Sequence, residues 1–276
     1  RFLLDDVRGD CRDRLRELAD NVCCVVDAET QADLNDFAGQ LQEVAGDGKR
    51  FLFRSAASLL TALAKLPAQP VSAEDMAVYV RERKPGVILI GSHVAKTSAQ
   101  LAYLRKHTDV VPVCVDVEQL NVSNTLDWSE HAARFADTII AQIDTAHARG
   151  KTVAIYTSRE ELQFPSQRER LAFGERLSAF LMGLVRRLPV TIGFLISKGG
   201  ITSNDVLSSG LAVKQSRVLG QILTGCSVIC CPSDHERYPQ LPVVIFPGNV
   251  GGEAALAEVH GILTAPRESQ AIHRTA

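Results

Sequence analysis

Phe194-Leu195-Ile196-Ser197-Lys198-Gly199-Gly200-Ile201-Thr202-Ser203 reads as a buried strand, a two-glycine turn and the opening of a helix. Three consecutive apolar residues fit a strand covered on both faces, as in a parallel sheet. Glycine admits a positive φ and lets a ligand approach the backbone without meeting a Cβ. Thr202 and Ser203 suit the start of the helix that follows. The same grammar occurs at Ile88-Leu89-Ile90-Gly91-Ser92-His93-Val94-Ala95-Lys96-Thr97. It recurs at Val244-Ile245-Phe246-Pro247-Gly248-Asn249-Val250-Gly251-Gly252.

Outward from these turns, short apolar runs alternate with amphipathic segments, which is the pattern of βαβ units. Strands are expected at 86–90, 110–115, 152–156, 191–196, 216–219 and 243–246. Helices are expected at 97–106, 128–148, 167–188, 203–211 and 252–263. Earlier in the chain, 21–26 and 51–53 read as strands, and 30–44 and 55–66 as helices. Pro67-Ala68-Gln69-Pro70-Val71-Ser72 has two prolines and no periodicity and reads as a linker, followed by a short charged helix at 73–84. The expected fold is therefore α/β, a mostly parallel sheet flanked by helices, in a larger domain at 73–276 preceded by a smaller, partial α/β domain at 1–66.

The bulk composition narrows the partners. With 276 residues, 46% of them hydrophobic, the chain can bury a substantial core. A net charge of −2 gives no footprint for nucleic acid and no polybasic membrane anchor. The longest apolar runs fall well short of the ~18 residues of a membrane-spanning helix. The seven cysteines show no metal-site spacing, and Cys23-Cys24 and Cys230-Cys231 read as small interior residues of a reduced, cytoplasmic protein. The opening Arg1-Phe2-Leu3-Leu4, without Met, reads as the middle of a longer chain.

An anionic ligand must then be held by local geometry. Free N–H groups and the positive end of a helix favour an anion at each turn. Ser92, Thr202 and Ser203 add hydroxyls, and Lys96 and Lys198 add positive charge. In a parallel sheet the three turns share the edge where ligands collect. No standard nucleotide motif is met: the first turn has Ala95 in place of the second glycine of a phosphate loop, and the second lacks the third glycine of a dinucleotide fingerprint. An ordinary strand-to-helix turn remains the alternative at each one. Asp205 reads either as a water-mediated metal contact or as an acid complementing its helix dipole, and His93 as a phosphate contact or a turn residue. The run 233–237 reads as a solvated loop, and Trp128 as core rather than a shelf for a base.

As a set, the turns resemble the four-carbon acid sugar kinases. The family's nucleotide-binding domain carries a GS…T…Q segment, a GG-x-T turn and a late G-N-x-G turn. These stand here as Gly91-Ser92 with Thr97 and Gln100, as Gly199-Gly200-Ile201-Thr202, and as Gly248-Asn249-Val250-Gly251. The stretch before the linker, with Asp27-Ala28-Glu29-Thr30 and Arg54-Ser55-Ala56, is similar to the tail of the family's sugar-binding domain. The resemblance implies transfer of the ATP γ-phosphoryl group, with Mg²⁺, to a hydroxyl of a small sugar acid. It implies nucleotide contacts at Ser92, Gly199, Gly200, Ile201, Thr202, Gly248 and Asn249, and it assigns neither a catalytic base nor a protein metal ligand. Two departures stand out: Ile201 replaces an acid found in many members, and the acidic DD-x-TG substrate motif is absent. A non-catalytic nucleotide-binding module and, less well matched, an NAD(P)-dependent oxidoreductase are the competing expectations. A homo-oligomer is compatible with all three.

Overall fold

β1 (Val87–Ile90) is buried along its whole length because its successive side chains enter two different cores. Val87 and Leu89 join one apolar cluster, and Ile88 and Ile90 join another. The first core is closed by α6 (Trp128–Ala148) and α7 (Gln167–Arg187). The second is closed by α5 (Ala95–His107) and α9 (Ala255–Thr264). Residue spacing explains these helices: α6 buries Ala132, Ala136, Ile139, Ile140 and Ile143 as one stripe. The Ser166 side chain caps α7 by accepting from the Glu169 N–H. The computed structural model that shows this describes residues 1–67, 69–121, 128–160 and 162–266.

The sheet has seven strands in the order β2-β3-β1-β4-β7-β6-β5, with β2 (Val111–Val115), β3 (Val153–Thr157), β4 (Leu195–Lys198), β5 (Arg217–Leu223), β6 (Cys226–Cys230) and β7 (Pro242–Phe246). The β2, β3, β1, β4 and β7 pairings are all parallel, and β5 and β6 add an antiparallel hairpin at one edge. From β1 the chain crosses through α5, on the second core, towards β2. From β4 it enters α8 (Gly200–Asp205) and a π-helical turn (Val206–Gly210) whose Val206 lies in the first core. Neighbouring strands thus send their connections over opposite faces, which opens a crevice at their carboxyl ends.

The chain divides into two compact units, Arg1–Ala68 and Gln69–Ala276. The small unit holds α1 (Leu4–Arg8), α2 (Arg12–Glu17), α3 (Gln31–Gly46) and α4 (Ala57–Leu63). Its core is Phe2, Val7, Cys11, Leu15, Phe37, Leu41 and Val44. Ala68 of the expected linker lies outside the described residues, as do 267–276 of the expected larger domain.

Three expectations need correction. Residues 21–26 and 51–53 are not strands: the described residues give them one isolated bridge, Phe2 to Val26, and leave Val22, Val25 and Leu52 exposed. Apolar runs become strands only where a ladder partner exists. The helix at 73–84 is two 3₁₀ segments, Glu74–Tyr79 and Arg81–Arg83, separated at extended Val80, and Glu82 inside the second has a φ of 46°. The strand at 216–219 extends to Leu223 and pairs with the unexpected β6 across a two-residue turn at Thr224-Gly225. The run 233–237 is the expected loop between strands, with Ser233, Asp234, Glu236 and Arg237 exposed, and its half-buried His235 braces it against the fold. His235 Nδ1 accepts from the Arg237 and Tyr238 N–H groups, and His235 Nε2 lies 2.8 Å from Leu211 O. Among the described residues, no helix is long and apolar enough to cross a membrane.

Tyr238 anchors that brace. Its buried hydroxyl lies 2.9 Å from Leu188 O and 3.1 Å from Val185 O, and accepts from Arg237 Nε. Tyr238→Phe keeps the ring and strands these groups, at a cost of about 1–3 kcal/mol. Urea unfolding should show that loss; an unshifted midpoint would contradict the brace.

Candidate functional site

The turns after β1, β4 and β7 lie side by side because their strands are neighbours in the sheet. They also touch. A Cβ added to Gly91 would lie 2.3 Å from Thr202 Oγ1, so the first and second turns meet only without a side chain there. Gly199 has φ of 128°, which L side chains rarely adopt, and packs beside the Ser92 backbone. Gly248 faces Ser92 Oγ. Ser92 is therefore the point at which all three turns converge.

Buried side chains fix the third turn from beneath. Thr97 Oγ1 donates to Gly248 O at 3.0 Å and lies 3.2 Å from Ser92 Oγ. Gln100 Nε2 donates to Val250 O at 2.9 Å and to Gly252 O at 2.8 Å. Lys198 Nζ donates to Pro247 O at 2.6 Å and to Gly248 O at 3.2 Å. All three residues are 0% exposed. In a trans peptide the N–H points opposite to the C=O. Drawing the carbonyls of 247, 248, 250 and 252 inward therefore turns the N–H groups of Gly248, Asn249, Gly251 and Glu253 outward. Among the described residues none of these four finds a protein acceptor. At the second turn Ser203 N–H is the first to bond back, to Gly199 O, so the N–H groups of Gly200, Ile201 and Thr202 are open as well.

Arg159, in the loop after β3, ties down the first turn. Its Nη2 donates to Ser92 O and Ser98 Oγ at 2.8 Å, and its Nη1 is buried with no protein partner. Burial pushes the Arg159 guanidinium below its ordinary range. Burial also lowers Lys198, to about 8. Gln100 Oε1 and Ser197 Oγ are further buried atoms without a protein partner near this edge. Sequence reasoning missed Arg159; the signal was a lone cation two residues beyond a strand end.

The expected contacts divide into floor and rim. Ser92, Gly199, Thr202 and Gly248 form the junction of the turns. Gly200 and Asn249 stand at the exposed mouth, and a Cβ built on Gly200 meets nothing within 4 Å. Ile201 is 80% exposed, an apolar residue at the rim. Lys198 points into the protein, while Lys96 is exposed. His93 Nε2 lies 2.8 Å from Thr157 Oγ1. Asp205 accepts from Ser178 Oγ of α7. Trp128 packs against the first core with its indole N–H on Leu120 O. Among the described residues no group of three His, Cys, Asp or Glu could hold a metal ion.

Comparison with known proteins adds an independent line. Residues 87–256 match the family described as the nucleotide-binding C-terminal domain, and residues 2–63 the one described as the sugar-binding N-terminal domain. Two solved structures share the fold. One is a domain of unknown function from Bordetella bronchiseptica, a domain-swapped dimer with bound citrate. It is 17% identical, with a TM-score of 0.52, over 89% of this chain and 54% of that one. The other is a Salmonella typhimurium protein provisionally described as a tRNA synthase, 20% identical, with a TM-score of 0.53, over 85% and 51%. The chain spans about half the length of each. No curated protein matches it.

If Thr97 holds the third turn, Thr97→Val, nearly isosteric, leaves Gly248 O without its hydroxyl donor. The expected loss is about 1–2 kcal/mol in urea unfolding. The backbone NMR chemical shifts of residues 248–251 should move; unchanged shifts there would show that the turn is held by other means.

Proposed function

We infer the function from what the chain is: it belongs to the four-carbon acid sugar kinase family, whose nucleotide-binding domain occupies residues 87–256. Its proposed activity is ATP-dependent phosphorylation of a hydroxyl on a small, four-carbon sugar acid. The observation that carries this reading is the convergence of three turns on Ser92 with seven N–H groups directed outward at the switch point of a parallel sheet. The match of residues 2–63 to a sugar-binding domain supports the acceptor class.

The turns suit a polyphosphate. Their open N–H groups are donors without protein acceptors, and the space beyond Gly200 would be filled by any side chain there. ATP, when bound, supplies the phosphoryl group and, with Mg²⁺, the neutralisation of its charge. Ser92 and the amides of Gly200, Ile201 and Thr202 orient phosphate oxygens, Gly248 allows close approach, and Asn249 reaches the ligand from the rim. Such fixed donors stabilise charge in transfer without covalent chemistry from the protein. The turns 91–94, 199–203 and 247–252 contain no carboxylate. They therefore offer no dedicated cage for Mg²⁺, which can be held by phosphate oxygens and water. Seven free cysteines support a reducing, cytoplasmic setting. The domain-swapped dimer of the Bordetella protein supports a homo-oligomer here.

Calorimetric titration with ATP, ADP and NAD(H), with and without Mg²⁺, tests this reading. ATP and ADP should bind and NAD(H) should not; tight NAD(H) binding without response to adenosine phosphates would overturn it. Gly200→Val projects into open space and should fold normally yet bind ATP at least tenfold more weakly. Unchanged affinity would place the phosphates elsewhere.

A further inference from the structure

Lys198 is a cation buried among neutral groups. Register puts it beside Phe246 on the face that carries α5 and α9, and its Nζ lies 4.0 Å from the centre of the Phe246 ring. Its acceptors are the backbone oxygens of Pro247 and Gly248. Among the described residues no carboxylate pairs with it. The other charged or titratable groups that reach it are Lys96 on α5 and the Cys226 thiol on β6. The Lys96 ammonium disfavours its charge. Burial pushes the Cys226 thiol up to about 11, which keeps it neutral below that pH.

A buried cation without a counter-ion is unfavourable unless something negative arrives. Holding the third turn does not itself require charge, since neutral Thr97 and Gln100 tie down three of its carbonyls. What lysine adds is a positive charge directly behind the peptide units whose N–H groups face the mouth. A weakly polar interior transmits that field to the mouth far better than water would.

We propose that Lys198 is the internal counter-charge of the phosphate site, a positioning residue that holds the 247–248 turn and reaches charge balance when a phosphate settles on its outer side. The inference rests on the nucleotide reading above and adds a pH dependence to it. The lysine, lowered to about 8 by burial and then by Lys96, carries its charge below that pH and loses it above. A bound anion favours the charged form, so binding above pH 8 takes up a proton, and affinity falls as pH rises. Terminal phosphates, with a last pKa of about 6, are ionised throughout this window and do not mask the effect.

The test is calorimetry on the full chain with ADP, methyl diphosphate and adenosine, from pH 7 to pH 9, in buffers of differing ionisation heat. For the unaltered protein, ADP and methyl diphosphate affinity should fall about tenfold across that range, the loss expected for one proton over about one pH unit. Uptake should approach one proton per ligand at pH 9. Lys198→Met should bind ADP at least tenfold more weakly at pH 7, with a flat pH profile and unchanged affinity for adenosine. A flat profile without proton uptake in the unaltered protein overturns the proposal and needs no variant. So does Lys198→Met with full ADP affinity, or with equal losses for ADP and adenosine, the mark of a collapsed site. Methyl diphosphate binding with this pH profile but no ADP binding would keep the counter-charge and overturn the nucleotide reading. A protein that binds neither phosphate ligand at pH 7 overturns both.

Discussion

Three fully buried polar side chains, Thr97, Gln100 and Lys198, pull the carbonyl groups of the third turn into the protein, and the candidate site depends on that pull. A buried polar group is tolerated only where it is bonded, so each of the three is committed to the turn. The commitment orients the backbone: carbonyls inward, amides outward. The α5 helix makes this possible by dividing its buried stripe. Thr97 and Gln100 face the turn from its first half, while Leu101 and Leu104, at helical spacing, enter the core. The same helix that closes the second core therefore sets the geometry of the edge above it.

Charge at this edge is local. The protein as a whole carries a net charge of −2 and cannot draw in an anion by its overall field. The residues facing the mouth add little formal charge: Gly200 and Asn249 are neutral, and Ile201 is apolar. In the proposed reading, recognition of phosphate falls to oriented peptide dipoles backed by a lysine beneath them and an arginine beside them. That division of labour also accounts for the poor match to the standard nucleotide motifs. Those motifs concentrate their glycines in one loop, whereas here three short turns from separate strands each contribute a few amides.

The parallel sheet was legible because its strands and helices keep strong periodicity. The limits of α6 coincide with the expected 128–148, and α7 is one residue shorter than 167–188. Legibility failed where pairing decides the outcome. Residues 21–26 and 51–53 have strand-like composition but no ladder among the described residues, and β6 became a strand because β5 and β7 flank it. At the edge, the glycine turns and the Thr97 and Gln100 positions stood out in the sequence. The inward course of Lys198 did not, although strand parity placed it on the same face as Ile196. Arg159 escaped notice because its partners, Ser92 and Ser98, are more than sixty positions away in the chain.

The central claim is that the three turns form one phosphate site through their outward amides. The most direct measurement follows backbone amides by NMR, or by hydrogen exchange at single-residue resolution, as ADP is added. The account predicts coordinated shifts and protection at Gly200, Ile201, Thr202, Gly248, Asn249 and Gly251, with one common binding isotherm. Changes confined to one turn, or centred on a different part of the sheet, would contradict it.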